Sequence, residues 1–218
     1  MSANVTATAA DADVDAAAAA LAYAALNDPA QPPPAFAPAA HAAYVEKVAT
    51  DTGSPEYALT EYMRLSGVYW GLTTLRLLGQ KDALDGPALV TLALSCQNED
   101  GGFGGAPGHD SHMLYTLSAL QVLALLGALD RCDRRRAEAY VCSLQQPDGS
   151  FFGDRWGEVD TRFSYCALSC LSILGQLALV DVAGAAAFGS WALFDSYSNV
   201  VGSTIVWSET VCTVHASS

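Results

Sequence analysis

An all-α fold of stacked helical pairs is what this chain predicts, and three observations carry the prediction. The first is an internal repeat. Gln97-Asn98-Glu99-Asp100-Gly101-Gly102-Phe103 returns as Gln145-Gln146-Pro147-Asp148-Gly149-Ser150-Phe151, an offset of 48 residues (145 − 97). Along that offset Ser95, Gly105, Ala119, Leu120, Leu123, Leu126, Gly127 and Leu129 also meet identical residues without a gap. A weaker upstream copy places Leu72, Leu75, Leu78 and Gly79 one period before Leu120, Leu123, Leu126 and Gly127. The second observation is spacing. Leu117, Leu120, Leu123, Leu126 and Leu168, Leu171, Leu174 recur at three-residue steps, the pattern of a helix with one apolar face. The third is punctuation. Gly127 and Gly175 stand where a helix needs a left-handed residue just past its end. Asp133 and Asp181 stand where a carboxylate would cap the next helix, and Asp-Gly-Gly and Asp-Gly-Ser supply the turns. Each unit therefore reads as helix, short loop, helix, Gly-rich turn. Such units cannot bury their faces alone and must stack.

Along the chain, residues 1–35 are rich in Ala and Pro and contain no Lys or Arg, which fits neither a secretory signal nor a transit peptide. Residues 12–26 could form a weak Ala helix that Pro29 and Pro32-Pro33-Pro34 end, so this segment is expected to be disordered or loosely attached. Residues 36–188 form the repeat domain. A short helix is expected over Ala39–Val48. A longer one is expected over Glu56–Gly79, bent at Ser66-Gly67, and Asp85 opens the next. Residues 189–218 lack the Asp-Gly-x-Phe that the period requires and read as a divergent, aperiodic tail, such as an alternative end of the transcript.

Composition limits the function. The net charge of −13 argues against nucleic-acid binding, which needs a Lys/Arg surface. Arg134-Arg135-Arg136 lies beside Asp130 and Asp133 and reads as a solvated helix start. Although 51% of residues are hydrophobic, no run is long enough to span a bilayer, so an integral membrane protein is not expected. The six cysteines form no Cys-x-x-Cys pair and read as buried free thiols of a reducing compartment.

Few residues suggest chemistry. His109 and His112, with Asp110 between, could offer a metal two nitrogens and a carboxylate, or could be a loop and helix-cap cluster, which is favoured because the next copy has no histidine there. Glu158 and Asp160 could act as a carboxylate pair in glycoside cleavage; the favoured reading is that Asp160 caps a helix and pairs with Arg162. Tyr69, Trp70, Tyr115, Phe163 and Tyr165 fall on or near the corresponding helices of successive units, where as a set they would line a central apolar pocket.

Three groups of residues carry a resemblance. They are Glu61-Tyr62-Met63-Arg64-Leu65-Ser66-Gly67-Val68-Tyr69-Trp70-Gly71-Leu72, followed by Ser95-Cys96-Gln97; Gly108-His109-Asp110 with Leu114-Tyr115-Thr116-Leu117-Ser118-Ala119; and Gly157-Glu158-Val159-Asp160-Thr161-Arg162-Phe163-Ser164. Over residues 36–188 the chain closely resembles the β subunits of protein prenyltransferases, those of the Rab geranylgeranyltransferase type in particular. The resemblance implies an α/α toroid, here an incomplete barrel, whose inner helices surround an apolar funnel for the isoprenoid. It implies a cytoplasmic enzyme and a helical-repeat α subunit as partner. Geranylgeranyl diphosphate would be the donor, and a Rab GTPase presented with an escort protein the acceptor. A zinc ion would hold the acceptor cysteine as a thiolate. By motif position, Ser66, Trp70, Leu117, Tyr165 and Cys166 would line the isoprenoid site, with Arg162 beside it.

The chain departs from the family in one respect. The family's zinc ligands, an Asp-x-Cys pair and a later His, and its diphosphate clamp of His, Arg, Lys and Tyr come from later repeats. Asp195, Cys212 and His215 are not in those motifs. The expectation is therefore a C-terminally truncated β subunit with no metal or catalytic residue of its own, inactive and poorly soluble alone. A non-catalytic partner- or lipid-binding remnant is the alternative. A terpene-cyclase-like domain is a third reading that lacks any Asp-rich initiating motif.

Overall fold

The computed structural model describes residues 35–198, with side chains described as far as residue 190. The expected Ala helix over 12–26 and most of the expected tail lie outside the described residues. Eight helices follow in order: α1 (Pro38–Thr50), α2 (Pro55–Leu59), α3 (Arg64–Leu77), α4 (Gly86–Ser95), α5 (Met113–Leu125), α6 (Arg134–Ser143), α7 (Thr161–Leu174) and α8 (Val182–Ser198). Short 3-10 turns lie at Glu61–Met63, Leu129–Arg131 and Leu177–Leu179. Among the described residues the only β pairing is three isolated bridges, two of which, Gln97 with Phe103 and Gln145 with Phe151, close the equivalent turns of the two copies.

The packing puts helices in two rows. In the inner row α3 packs on α5 and α5 on α7; outside it, α4 packs on α5, and α6 and α8 on α7. Two hydrogen bonds explain how successive inner helices are set. The Leu65 N–H at the start of α3 donates to the Gly105 carbonyl (2.9 Å), and the Met113 N–H at the start of α5 donates to the Gly153 carbonyl (2.7 Å). Helices α3 and α5 are thus each anchored on the turn of the following unit. The break in the expected helix over Glu56–Gly79 follows from this. Ser66 and Gly67 are helical, and the chain breaks instead between α2 and α3. There the Arg64 guanidinium lies over the Tyr57 ring and donates to the Tyr57 carbonyl, and Leu65 is pinned from outside.

The period recurs in the hydrogen bonds. Gln80 N–H to Leu75 O, Ala128 N–H to Leu123 O and Gln176 N–H to Leu171 O (2.8, 2.8 and 2.7 Å) close the three inner helices with the same 6→1 bond around Gly79, Gly127 and Gly175. Asp85, Asp133 and Asp181 cap α4, α6 and α8 by accepting from Ala88, Arg136 and Gly184 N–H at 3.0, 3.1 and 2.9 Å. Gln97 clamps the next outer helix with both ends of its amide: Nε2 donates to Asp133 O (3.0 Å) and Oε1 accepts from Asp133 N–H (2.9 Å). Gln145 does the same to Asp181, at 2.9 Å in each direction. The expected cost of Gln97→Ala is about 1–2 kcal/mol, because the two bonds to Asp133 and a third from Nε2 to the Gly101 carbonyl (3.2 Å) are lost from groups that water can partly satisfy. Urea denaturation checks it, and an unchanged midpoint would show the clamp to be energetically silent.

Two elements differ from the repeat reading. Helix α5 does not have a single apolar face: Met113, Thr116, Leu117, Ser118, Ala119, Leu120, Val122 and Leu123 are all buried, because α3, α4 and α7 surround it. Helix α8 runs through Gly189 to Ser198, past the end of the recognisable repeat at Phe188. Cys96, Cys132, Cys166 and Cys170 are buried free thiols and Cys142 is half-buried; burial pushes Cys96 and Cys166 up to about 11, away from reactive thiolate character. Cys212 lies outside the described residues. No helix among the described residues is long and apolar enough to cross a membrane.

Candidate functional site

The inner row repeats side chains as well as backbone. Adding 48 to Ser66 gives Leu114 and then Arg162; to Tyr69, Leu117 and then Tyr165; to Trp70, Ser118 and then Cys166. The residues that the resemblance assigns to an isoprenoid wall thus fall into three columns across α3, α5 and α7. With Tyr69 of the aromatic set, Leu114 and Ser118 complete those columns. Motif matching passed over them as site residues, and the 48-residue offset would have found them.

Exposure differs between the helices. Trp70 on α3 and Tyr165 on α7 are 65% and 66% exposed, large aromatics with little to cover them. Between them Leu117 and Ser118 of α5 are buried, as is Cys166 of α7. Trp70 leans on Tyr69, the ring centroids 5.0 Å apart. Ser66 and Trp70 lie one turn apart on α3, and Ser66 meets Ser118 across the helix pair at 3.0 Å. Arg162, Tyr165 and Cys166 share the first turns of α7. The structure therefore joins the α3 and α5 members through the serine pair and gathers the α7 members on one helix. The outcome is two exposed aromatics, Trp70 and Tyr165, on the flanking inner helices, with Leu117, Ser118 and Cys166 buried and Ser66 half-buried.

The other candidate clusters turn out to be structural. His109, Asp110 and His112 point to three different partners. His109 Nε2 is 3.9 Å from Glu61. Asp110 takes both of its contacts from Arg155, at 3.2 and 3.1 Å. His112 caps α5, its Nδ1 accepting from Leu114 N–H at 3.1 Å. Among the described residues no group of His, Cys, Asp and Glu could hold a metal ion, so these side chains do not fit the zinc that the resemblance implies. Asp160 caps α7, its Oδ1 accepting from the Arg162 N–H (2.7 Å) and from Arg162 Nε (2.9 Å). Those bonds hold its carboxyl below the usual range, and Arg162 is correspondingly raised. The arginine run opens α6: Arg136 pairs with Asp133 at 3.4 Å, and Arg134 donates to the Leu174 carbonyl at 2.8 Å, near the end of α7.

His112 makes the stability of the inner row depend on pH. Burial pushes its pKa below the usual 6.5, against the pull of Asp154 and Glu158, and Arg162 pushes the same way as burial. A depressed histidine stabilises the fold when neutral. That stability is present above pH 6.5 and is lost as pH falls below it toward the folded value, because the unfolded chain then binds the proton first. A proton on Nδ1 also removes the acceptor that caps α5. His112→Asn keeps a good cap and is expected to flatten the loss of stability between about pH 7.5 and about pH 5.5. Urea melts at the two values check this; an unchanged slope in the variant would mean that another group titrates.

Residues 36–192 match the Prenyltransferase alpha-alpha toroid domain family. A "Probable geranylgeranyl transferase type-2 subunit beta" of Dictyostelium discoideum is 47% identical over 82 residues, which is 38% of this chain and 24% of the relative. "Geranylgeranyl transferase type-2 subunit beta 1" of Arabidopsis thaliana is 44% identical over 82 residues (38% and 26%). "Geranylgeranyl transferase type-2 subunit beta" of Saccharomyces cerevisiae is 46% identical over 83 residues (38% and 26%). The matched segment spans about a quarter of each relative's length. Since the family match covers residues 36–192, most of the chain, this chain belongs to the prenyltransferase alpha-alpha toroid family.

Proposed function

We propose that this chain is a β-type subunit of a Rab geranylgeranyltransferase, and that its described part contributes the isoprenoid-holding wall. The observation that carries the reading is the coincidence of two things. The relatives at 40–47% identity bear the type-2 β subunit name, and the residues assigned to an isoprenoid wall form three repeat-related columns on the inner row. Trp70 and Tyr165 meet the lipid with Ser66 beside them, Leu117 and Cys166 back that wall from within, and Arg162 stands at its margin. In this reading the donor is geranylgeranyl diphosphate. The acceptor is a C-terminal cysteine of a Rab GTPase presented by an escort protein. The partner is a helical-repeat α subunit, and the setting is the cytoplasm. The family's zinc would supply the thiolate nucleophile. The described residues offer no ligand set for it, so their role is confined to binding and orienting the apolar chain. The comparisons favour this reading over a non-catalytic remnant.

The test is to co-express the chain with an α-type subunit and titrate the complex with a fluorescent geranylgeranyl diphosphate analogue. Saturable binding is expected, and Trp70→Ala should weaken it about tenfold, the equivalent of one large side chain's apolar contact. Failure to co-purify with the α subunit, or binding that ignores Trp70, would remove the basis for the assignment.

A further inference from the structure

We propose that Ser118 is a positioning residue of the lipid-facing wall: it holds the Ser66 hydroxyl proton away from the isoprenoid, so that neither serine offers a free O–H to an apolar chain. The proposal rests on the isoprenoid reading above. A hydroxyl has one proton to donate. Ser118 spends its proton on the Leu114 carbonyl one turn back, at 2.9 Å. The 3.0 Å contact between Ser66 Oγ and Ser118 Oγ must then run from Ser66 as donor to Ser118 as acceptor. The result is a relay from Ser66 through Ser118 to a backbone carbonyl that ties α3 to α5. Ser118 is buried, whereas Ser66 is half-buried on the α3 stripe between the exposed Tyr62 and Trp70. Ser66 is therefore the hydroxyl nearer the open side, and its proton points into the protein. Trp70 and Cys166 fill the Ser118 position on the neighbouring inner helices, so the acceptor is peculiar to α5.

The energetics of hydrogen bonds make this separable from simple packing. Deleting one partner of a buried bond strands the other, whereas deleting both is close to neutral. With the α-subunit complex and the fluorescent geranylgeranyl diphosphate analogue, Ser118→Ala is expected to weaken binding about fivefold or more, because Ser66 is left with an unsatisfied donor against the lipid. The double variant Ser66→Ala/Ser118→Ala is expected to bind about threefold or more tighter than Ser118→Ala, because it leaves no stranded donor against the lipid. Thermal melts of the free complexes check folding; where Ser118→Ala does not fold, a double variant that folds and binds the analogue meets the expectation, and one that folds and does not bind overturns it. Unchanged binding in Ser118→Ala would overturn the proposal. So would a double variant as weak as Ser118→Ala. An unaltered complex that binds no analogue would instead bring down the isoprenoid reading itself, and this proposal with it.

Discussion

Gly101→Ala is expected to destabilise the fold by about 3–5 kcal/mol, the sum of a strained backbone and a collision that no side chain can relieve. Gly101 has φ +92°, and a Cβ there would lie 2.2 Å from the Arg136 carbonyl oxygen and 2.3 Å from its carbon. Those atoms belong to the first turn of α6, which the Gln97 clamp holds against the turn through Asp133. Relief would require α6 to move as a body. Gly127→Ala is the matched control. Its φ is +65°, yet nothing lies within 4 Å of the added carbon. Only the conformational cost remains, about 1–2 kcal/mol. Denaturant unfolding of the two variants side by side separates the effects, and equal losses would show that backbone strain alone sets the requirement for glycine. The same contact recurs in the next unit, where a Cβ on Gly149 would lie 2.3 Å from the Gly184 carbonyl.

Phe103→Ala is expected to cost about 3–5 kcal/mol, the usual range for emptying a filled aromatic site. Phe103 is fully buried. Its N–H donates to Thr116 Oγ1 (3.0 Å) and its carbonyl accepts from His112 N–H (3.1 Å), so backbone bonds on both sides hold the ring's position. The surroundings therefore cannot collapse into the cavity without giving up those bonds. A loss of that size is a large fraction of a typical domain's stability and should appear as a clear fall in melting temperature by circular dichroism. Trp70→Ala provides the contrast. It removes a larger aromatic from a position 65% exposed, so the fold should lose little while lipid binding falls. A Phe103→Ala protein that melts with the unaltered chain would mean that the core repacks around the missing ring.

Much of the local structure was legible because it is encoded in short stretches. Asp133 and Asp181 cap outer helices, Gly127 and Gly175 end inner ones, and the two Asp-Gly turns are equivalent. A cap or a turn needs only the side chain and backbone of a few successive residues, so its signal survives in the sequence. His112 and Asp160 cap their helices by the same local means. The break before α3 was not legible. It depends on the Gly105 carbonyl, 40 residues further along (105 − 65), which takes the Leu65 N–H.

The amino-acid order alone established the period, the helix-turn grammar and the residues that recur at equivalent places, since each depends on neighbours in the chain. Which of those residues are covered was decided only by the packing. Leu117 and Tyr165 occupy the same repeat position, yet one is buried and the other 66% exposed. The reason is physical: burial is set by how many helices surround a side chain. Helix α5 has α3, α4 and α7 against it, whereas the Tyr165 face of α7 is left uncovered among the described residues.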